Sequence, residues 1–240
     1  MSEAEWLACA DPELMLEFLR GKASDRKLRL FSVACCRLIW GWLADERIRR
    51  AVEVAERYAD GLATSSAIQA AFRYANDRYQ EFRAFPSVFP LVAVACATST
   101  EDGFDGQDEY NPSQRQERYD GYLCAGQAAR WGGTAATLEG ERGADIKTTH
   151  RPEAACLRCI FGPLPFRRIA ASPSWSARND GGAAKLAQYI YDDRAFDRLP
   201  LLADALEDAG CTDRGILDHC RSGGQHVRGC WAVDLLLGKS

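Results

Sequence analysis

Apolar positions recur at helical spacing along two stretches of the chain, roughly residues 11–82 and 183–237. The clearest pattern runs from Ser24 to Leu43, where one broad arc of the helical wheel is apolar and the opposite arc is basic. The apolar arc contains Leu28, Phe31, Cys35, Leu38, Ile39, Trp42 and Leu43. The basic arc contains Lys22, Arg26, Arg29 and Arg37. This pattern predicts a helix at the centre of an N-terminal core, with a basic face that is solvated and ion-paired rather than an anion site.

Capping residues predict where further helices begin. Asp11 precedes a proline and opens a short helix, and Asp45 opens a longer one. Towards the other end, Thr212 is the predicted N-cap of one helix, and His226 or Val227 begins the last helix. The connections between these helices are short, which favours antiparallel neighbours in a bundle.

The composition agrees with a helical protein, because Ala and Leu together number 60 whereas the β-branched Val and Ile number only 16. We predict an all-α fold: a multi-helix bundle with a C-terminal subdomain of three to four helices, for which an α-solenoid-like arrangement is an alternative. The predicted boundaries are 1–97 for the N-terminal bundle, 98–150 for an acidic connector with one helix, and 151–240 for the C-terminal subdomain. The first and last are expected to form one compact unit, and Thr98–Asn111 is expected to be an exposed loop.

The charge distribution narrows the range of partners. The net charge is −4, and the acidic surplus lies in residues 101–150, while the flanks are balanced. Nucleic-acid binders normally carry a basic surplus, so we expect a protein partner and no nucleic acid. The longest apolar run, residues 89–97, is too short to cross a bilayer, and the acidic start does not resemble a secretory signal. We therefore expect a cytoplasmic protein without a membrane partner.

Ten cysteines are many for a cytoplasmic chain, and the densest reactive cluster lies near the end of the sequence. It consists of Cys211, His219, Cys220, His226 and Cys230. Thiolate and imidazole are zinc ligands, and a His-x3-Cys spacing can place both donors on one helical face. Cys156-x2-Cys159 could supply a further pair. Two interpretations stay open: a structural zinc site, or core thiols with capping histidines and no cofactor. The apolar context of these cysteines favours the second.

Motifs of common enzyme classes are missing from the sequence. It contains neither a phosphate-binding glycine loop nor the His-Glu-x-x-His or Gly-x-Ser-x-Gly pattern. The favoured function is a non-catalytic helical module for protein interaction or scaffolding. The alternative is a metal- or Cys/His-dependent hydrolase or transferase with its site in the C-terminal cluster.

Both ends of the chain also carry recognisable motifs. Near the start stand Trp-Leu-Ala-Cys-x-Asp-Pro and Phe-Leu-Arg-Gly-Lys-Ala-Ser-Asp-Arg-Lys-Leu-Arg-Leu-Phe. From Ala195 on stand Ala-Phe-Asp-Arg-Leu-Pro-x-Leu-Ala-Asp-Ala-Leu-Glu and His-Val-Arg-Gly-Cys-Trp. These segments resemble an uncharacterised paralogous family of planctomycete bacteria. The resemblance implies a bacterial lineage and a cytoplasmic location, and it carries over no activity and no catalytic residue.

Overall fold

The structure, a computed structural model, describes residues 1–82, 125, 152–163, 165–167, 169, 172, 175 and 181–240. Within these ranges the secondary structure is helical and no strand is found, which confirms the predicted all-α fold. The chain forms two compact units. The central unit comprises Cys9–Ala154, and the terminal unit combines Met1–Ala8 with Ala155–Ser240.

The central unit contains four described α-helices. They are α2 (Pro12–Leu19), α3 (Asp25–Leu38), α4 (Glu46–Ala59) and α5 (Ser65–Phe82), with a 3-10 turn at Trp40–Trp42. The side chains of Asp11, Ser24 and Asp45 accept hydrogen bonds from the free backbone N–H groups at the starts of α2, α3 and α4. α4 packs against both α3 and α5. The predicted helix starts in this unit are therefore confirmed, whereas α3 ends at Leu38 instead of Leu43.

Most of helix α3 is buried, and the arginines of its basic arc are buried or half-buried, whereas Lys22, which precedes the helix, is exposed. All ten residues from Lys27 to Cys36 are buried, and Phe31 is fully inaccessible. The Arg26 guanidinium lies 3.0 Å from the Asp60 carboxylate, whose side chain has no exposed surface. Likewise, Arg37 pairs at 3.4 Å with the buried Glu56. The expected ion pairs are present, but their acidic partners are buried: Glu56 lies on α4 and Asp60 is the C-cap residue that follows it.

The terminal unit is built from both ends of the chain. Its helices are α1 (Glu3–Ala8), α6 (Pro152–Phe161, from Ala155 on), α7 (Gly182–Asp193), α8 (Leu199–Asp208), α9 (Arg214–Arg221) and α10 (Trp231–Leu237). Helix α7 packs against α8 and α10, and α8 packs against α9. Trp6 of α1 is fully buried and meets Phe166 edge-on, at 6.1 Å between ring centroids. Helix α1 therefore belongs to this unit and is anchored in it by Trp6, although the predicted boundaries assign it to the N-terminal bundle.

The last two helices begin later than the sequence suggested. Asp213, rather than Thr212, caps α9, and its carboxylate accepts from the N–H groups of Gly215 and Ile216. The final helix begins at Trp231 and not at His226 or Val227. The helix begins late because residues 227–230 form a tight turn, in which the Cys230 N–H donates a hydrogen bond to the Val227 carbonyl at 3.0 Å. Gly229 within this turn has φ +88°, which a right-handed helix does not allow.

A close backbone approach joins the end of α6 to the start of α10. Gly162 follows α6 with φ +51°, and a Cβ atom there would lie 2.4 Å from the ring of Trp231. Only glycine fits this position, because any side chain would collide with the indole. The contact fixes Trp231 beside the last turn of α6, and it thereby brings Cys230 towards Cys159.

Two further predictions relate to the middle of the chain and to membranes. The Thr98–Asn111 loop and almost all of the predicted 98–150 connector lie outside the described residues. In the part of the chain that is described, none of the helices combines the length and the apolar character that a bilayer-spanning segment requires. The solenoid-like alternative stays a prediction.

Candidate metal centre

Four side chains with metal-binding atoms converge in the terminal unit. The ligand atoms of Cys159, His219, His226 and Cys230 all lie within 4.8 Å of one another. We call these residues the four-donor cluster. Both cysteines are buried, at 1% and 0% exposure, and both imidazoles are half-buried. A buried group of two thiols and two imidazoles is the donor set of a tetrahedral zinc site.

Three separate segments supply the four donors. Cys159 lies in the last turn of α6, and His219 lies in the last turn of α9. His226 and Cys230 lie on the connection between α9 and α10, and Cys230 directly precedes α10. His226 is therefore not on a helix with Cys230, contrary to the predicted helical face. The turn that is closed by the hydrogen bond from the Cys230 N–H to the Val227 carbonyl, instead of a helix, sets the spacing between these two donors.

Two sulfur–nitrogen distances in the cluster are near those of a four-coordinate metal site. The Nδ1 atom of His226 lies 3.6 Å from the Sγ atom of Cys159, and the Nε2 atom of His219 lies 3.2 Å from the Sγ atom of Cys230. Zinc–sulfur and zinc–nitrogen bond lengths with tetrahedral angles place a thiolate sulfur about 3.6 Å from an imidazole nitrogen. The two imidazole rings are nearly perpendicular, at 86°, and therefore approach a common centre from different directions.

Hydrogen bonds outside the cluster orient its members. The Nε2 atom of His226 lies 3.2 Å from the Ser222 carbonyl oxygen. A carbonyl only accepts, so Nε2 carries the proton and the lone pair of Nδ1 points towards Cys159. On the other side, the Val227 N–H donates to the Cys159 sulfur at 3.4 Å. Such outer bonds are those that orient ligands and stabilise thiolate charge in zinc sites.

The electrostatics of the metal-free cluster favour charge on one sulfur. Burial opposes ionisation of Cys230, but its interactions with Cys159, His219 and His226 hold the pKa of this thiol well below its ordinary value. Burial raises the pKa of the Cys159 thiol well above its ordinary value. For His226, burial opposes protonation, yet the bond to Cys230 gives a net rise in the pKa of the imidazole. These interactions favour the ionised form of the Cys230 thiol, which is the form in which cysteine binds a metal.

The structure brings together only part of the cysteine–histidine set that the sequence suggested. His219, His226 and Cys230 belong to the four-donor cluster, whereas the buried Cys211 and Cys220 do not. The fourth donor, Cys159, comes from the Cys-x2-Cys pair, whose other member, Cys156, does not belong to the cluster. Cys156 and Cys159 lie three residues apart on α6, and the sequence offers no signal that distinguishes between them.

Comparisons with known proteins add no family to these observations. No protein family matches the chain, and neither a curated protein nor a solved structure is similar to it. The resemblance to a planctomycete family therefore stays a prediction, and the function is inferred from the site itself.

Proposed function

We propose that the protein is a non-catalytic helical interaction module whose terminal unit is held together by one structural Zn²⁺ ion. The ion is bound by Cys159, His219, His226 and Cys230. The observation that carries the proposal is the convergence of these four donor atoms within 4.8 Å. The balanced charge outside residues 101–150 supports a protein, rather than a nucleic acid, as the partner of the module.

The donor chemistry selects zinc among the common cellular metals. Calcium and magnesium need oxygen ligands, whereas thiolates and imidazoles in a tetrahedral set suit zinc. The spacings between sulfur and nitrogen atoms in the structure, 3.2 and 3.6 Å, are near the value of about 3.6 Å that such a site requires. This proposal departs from the interpretation favoured by the sequence, in which the cysteines are core thiols without a cofactor.

The completeness of the donor set supports a structural rather than a catalytic role. Four protein ligands fill a tetrahedral site, whereas catalytic zinc keeps one position open for water or substrate. The donors also join segments that are far apart in sequence, since Cys159 and His226 are 67 residues apart. Because the unfolded chain does not hold these distant donors together, the ion binds the folded unit and its binding energy contributes directly to folding.

Metal analysis of the protein purified without added zinc tests the proposal. We expect about one zinc per chain in the wild type, and strong loss of zinc in Cys159→Ser and Cys230→Ser. Cys156→Ser is the matched control, because Cys156 lies on the same helix and is equally buried but is not a member of the cluster. A folded wild type without zinc, or equal zinc loss in Cys156→Ser, would show that the proposal is wrong.

Cobalt substitution separates the structural role from the enzymatic alternative. Co²⁺ bound by two thiolates and two imidazoles should give intense visible bands typical of tetrahedral coordination. Azide or a hydroxamate added to the cobalt protein should leave these bands unchanged, because no coordination position is open. A spectral shift on addition of either ligand would instead support a metal-dependent hydrolase or transferase.

A further inference from the structure

We propose that the zinc centre is sensitive to peroxide: hydrogen peroxide oxidises Cys159 and Cys230 to a disulfide and thereby releases Zn²⁺. This inference rests on the proposed zinc function and adds a mode of regulation to the same site. Zinc itself has no redox chemistry, so any redox response of the centre must come from its two sulfur ligands.

The two sulfur atoms are placed where a disulfide can form between them. They are the only thiols of the four-donor cluster, and their Sγ atoms lie within 4.8 Å of each other. Formation of the bond requires the sulfur atoms to approach to about 2.05 Å. Cys159 is held in α6, so the movement falls on the connection that carries Cys230. Gly223, Gly224 and Gly229 lie in this connection and give its backbone freedom to adjust.

The two buried sulfur atoms lie close to an exposed segment of the chain. Residues 221–225, which precede His226, are all exposed, and the imidazoles of His219 and His226 are half-buried. The histidines therefore form the side of the cluster that faces solvent, while Cys159 and Cys230 lie behind them. Hydrogen peroxide is about the size of a water molecule and needs only a local opening of the exposed connection to reach a sulfur atom.

The reaction balances with hydrogen peroxide as the sole oxidant. One thiolate attacks the peroxide, breaks the O–O bond, forms a sulfenic acid and releases hydroxide. The second thiolate attacks the sulfenic sulfur and displaces a second hydroxide, which forms the S–S bond. The two sulfur atoms lose two electrons, which the peroxide accepts, and two protons from solvent convert the hydroxides to water. The zinc ion keeps only its two imidazole ligands and dissociates.

Titration of the zinc-loaded protein with hydrogen peroxide tests this inference. Zinc is measured first, so that a protein without zinc, which contradicts the proposed function, is recognised before oxidant is added. A chromophoric chelator then reports released zinc, and peptide mapping identifies the oxidised cysteines. We expect one zinc released and two thiols lost per peroxide, with a disulfide between Cys159 and Cys230. Reduction with dithiothreitol and addition of zinc should restore the centre.

Cys9→Ser and Cys156→Ser provide controls for other thiols. Cys9 is half-buried in the central unit, so its substitution removes an accessible thiol that is remote from the cluster in sequence. Both variants should release zinc at the peroxide dose of the wild type. Zinc that stays bound at doses that oxidise Cys9, or zinc release with a disulfide between other cysteines, would overturn the inference while leaving the proposed zinc site intact.

Discussion

At the scale of single residues, Gly162 links the fold to the candidate metal centre. Its positive φ and its contact with the Trp231 ring both exclude a side chain. Trp231 also lies 5.2 Å from the His219 ring, between centroids, so a displaced indole would disturb a member of the four-donor cluster. A single glycine therefore affects the position of both α10 and the four-donor cluster.

Substitutions at Gly162 and at a control glycine should distinguish the cost of a collision with Trp231 from the cost of backbone strain. We expect Gly162→Ala to lower the free energy of unfolding by about 2–4 kcal/mol, because the methyl group strains the backbone and also strikes Trp231. Gly238→Ala is the control, since Gly238 has φ +64° with open space around its Cβ position. It should cost only about 1 kcal/mol. Denaturant unfolding measures both values, and equal costs would show that the indole moves aside freely.

Arg26 is a second residue whose surroundings determine how much it contributes to the stability of the fold. Arg26→Ala should cost about 1–3 kcal/mol, because it removes the cation that faces the inaccessible Asp60 carboxylate. Arg50→Ala is the matched control, since Arg50 and its partner Glu46 have side chains exposed at 67% and 75%. That variant should stay within about 0.5 kcal/mol of the wild type. Urea unfolding of both variants checks the difference, and similar losses would contradict the burial of the Arg26 pair.

At the scale of elements, local sequence predicts where most helices begin, but it predicts few of the contacts between residues that are far apart in the chain. Asp11, Ser24 and Asp45 bond the backbone within three residues of themselves, so their roles are visible in the sequence. The late start of α10 depends on a turn at Gly229, where the apolar pattern alone suggested a continuous helix. The pairing of Arg26 and Arg37 with buried carboxylates depends on Asp60 and Glu56, which are 34 and 19 residues away, and no local pattern contains that information.

The cap of α4 gives an element-scale prediction about pH. The Tyr74 hydroxyl of α5 donates to the Asp45 carboxylate at 2.7 Å, and this bond lowers the pKa of Asp45. A lowered native pKa stabilises the fold above the unfolded value, about 4, and this stabilisation disappears as pH falls through the native pKa. Tyr74→Phe should therefore destabilise the protein more at pH 7 than at pH 3.

Urea unfolding at several pH values measures this effect. Arg47 and Arg78 also lie near Asp45, and they keep their charge over this pH range. Tyr79→Phe, the same change on the same helix, should cost a similar amount at every acidic pH. If Tyr74→Phe behaves in the same way, the hydroxyl does not control the ionisation of Asp45.

At the scale of the whole molecule, the metal centre should stabilise one unit in particular. If the proposed zinc ion joins these segments, a chelator should increase amide hydrogen exchange in α6, α9 and the connection over residues 222–230. Helices α3 and α4 of the central unit should keep their protection. Hydrogen–deuterium exchange with mass spectrometry gives this comparison, and a uniform change across both units would contradict a local structural role.

The donor set shows why the site was only partly predictable. His219, His226 and Cys230 lie within a dozen residues, so their density in the sequence is conspicuous. Cys159 comes from a helix 67 residues before His226, and only the fold shows which of two cysteines on α6 reaches the cluster. Sequence reasoning therefore identified three of the donors, but it grouped them with Cys211 and Cys220, which the fold does not bring into the cluster.

The assembly of the terminal unit from two distant segments has a consequence for how the chain folds during its synthesis on the ribosome. Trp6 packs against Phe166, a ring that is translated about 160 residues later. At typical bacterial and eukaryotic elongation rates, this delay is about 8–30 s. The nascent chain therefore carries an unpacked indole while α2 to α5 emerge and meet one another. Docking of α1 is a late event in biosynthesis, and the exposed tryptophan is an apolar target for chaperones during that interval.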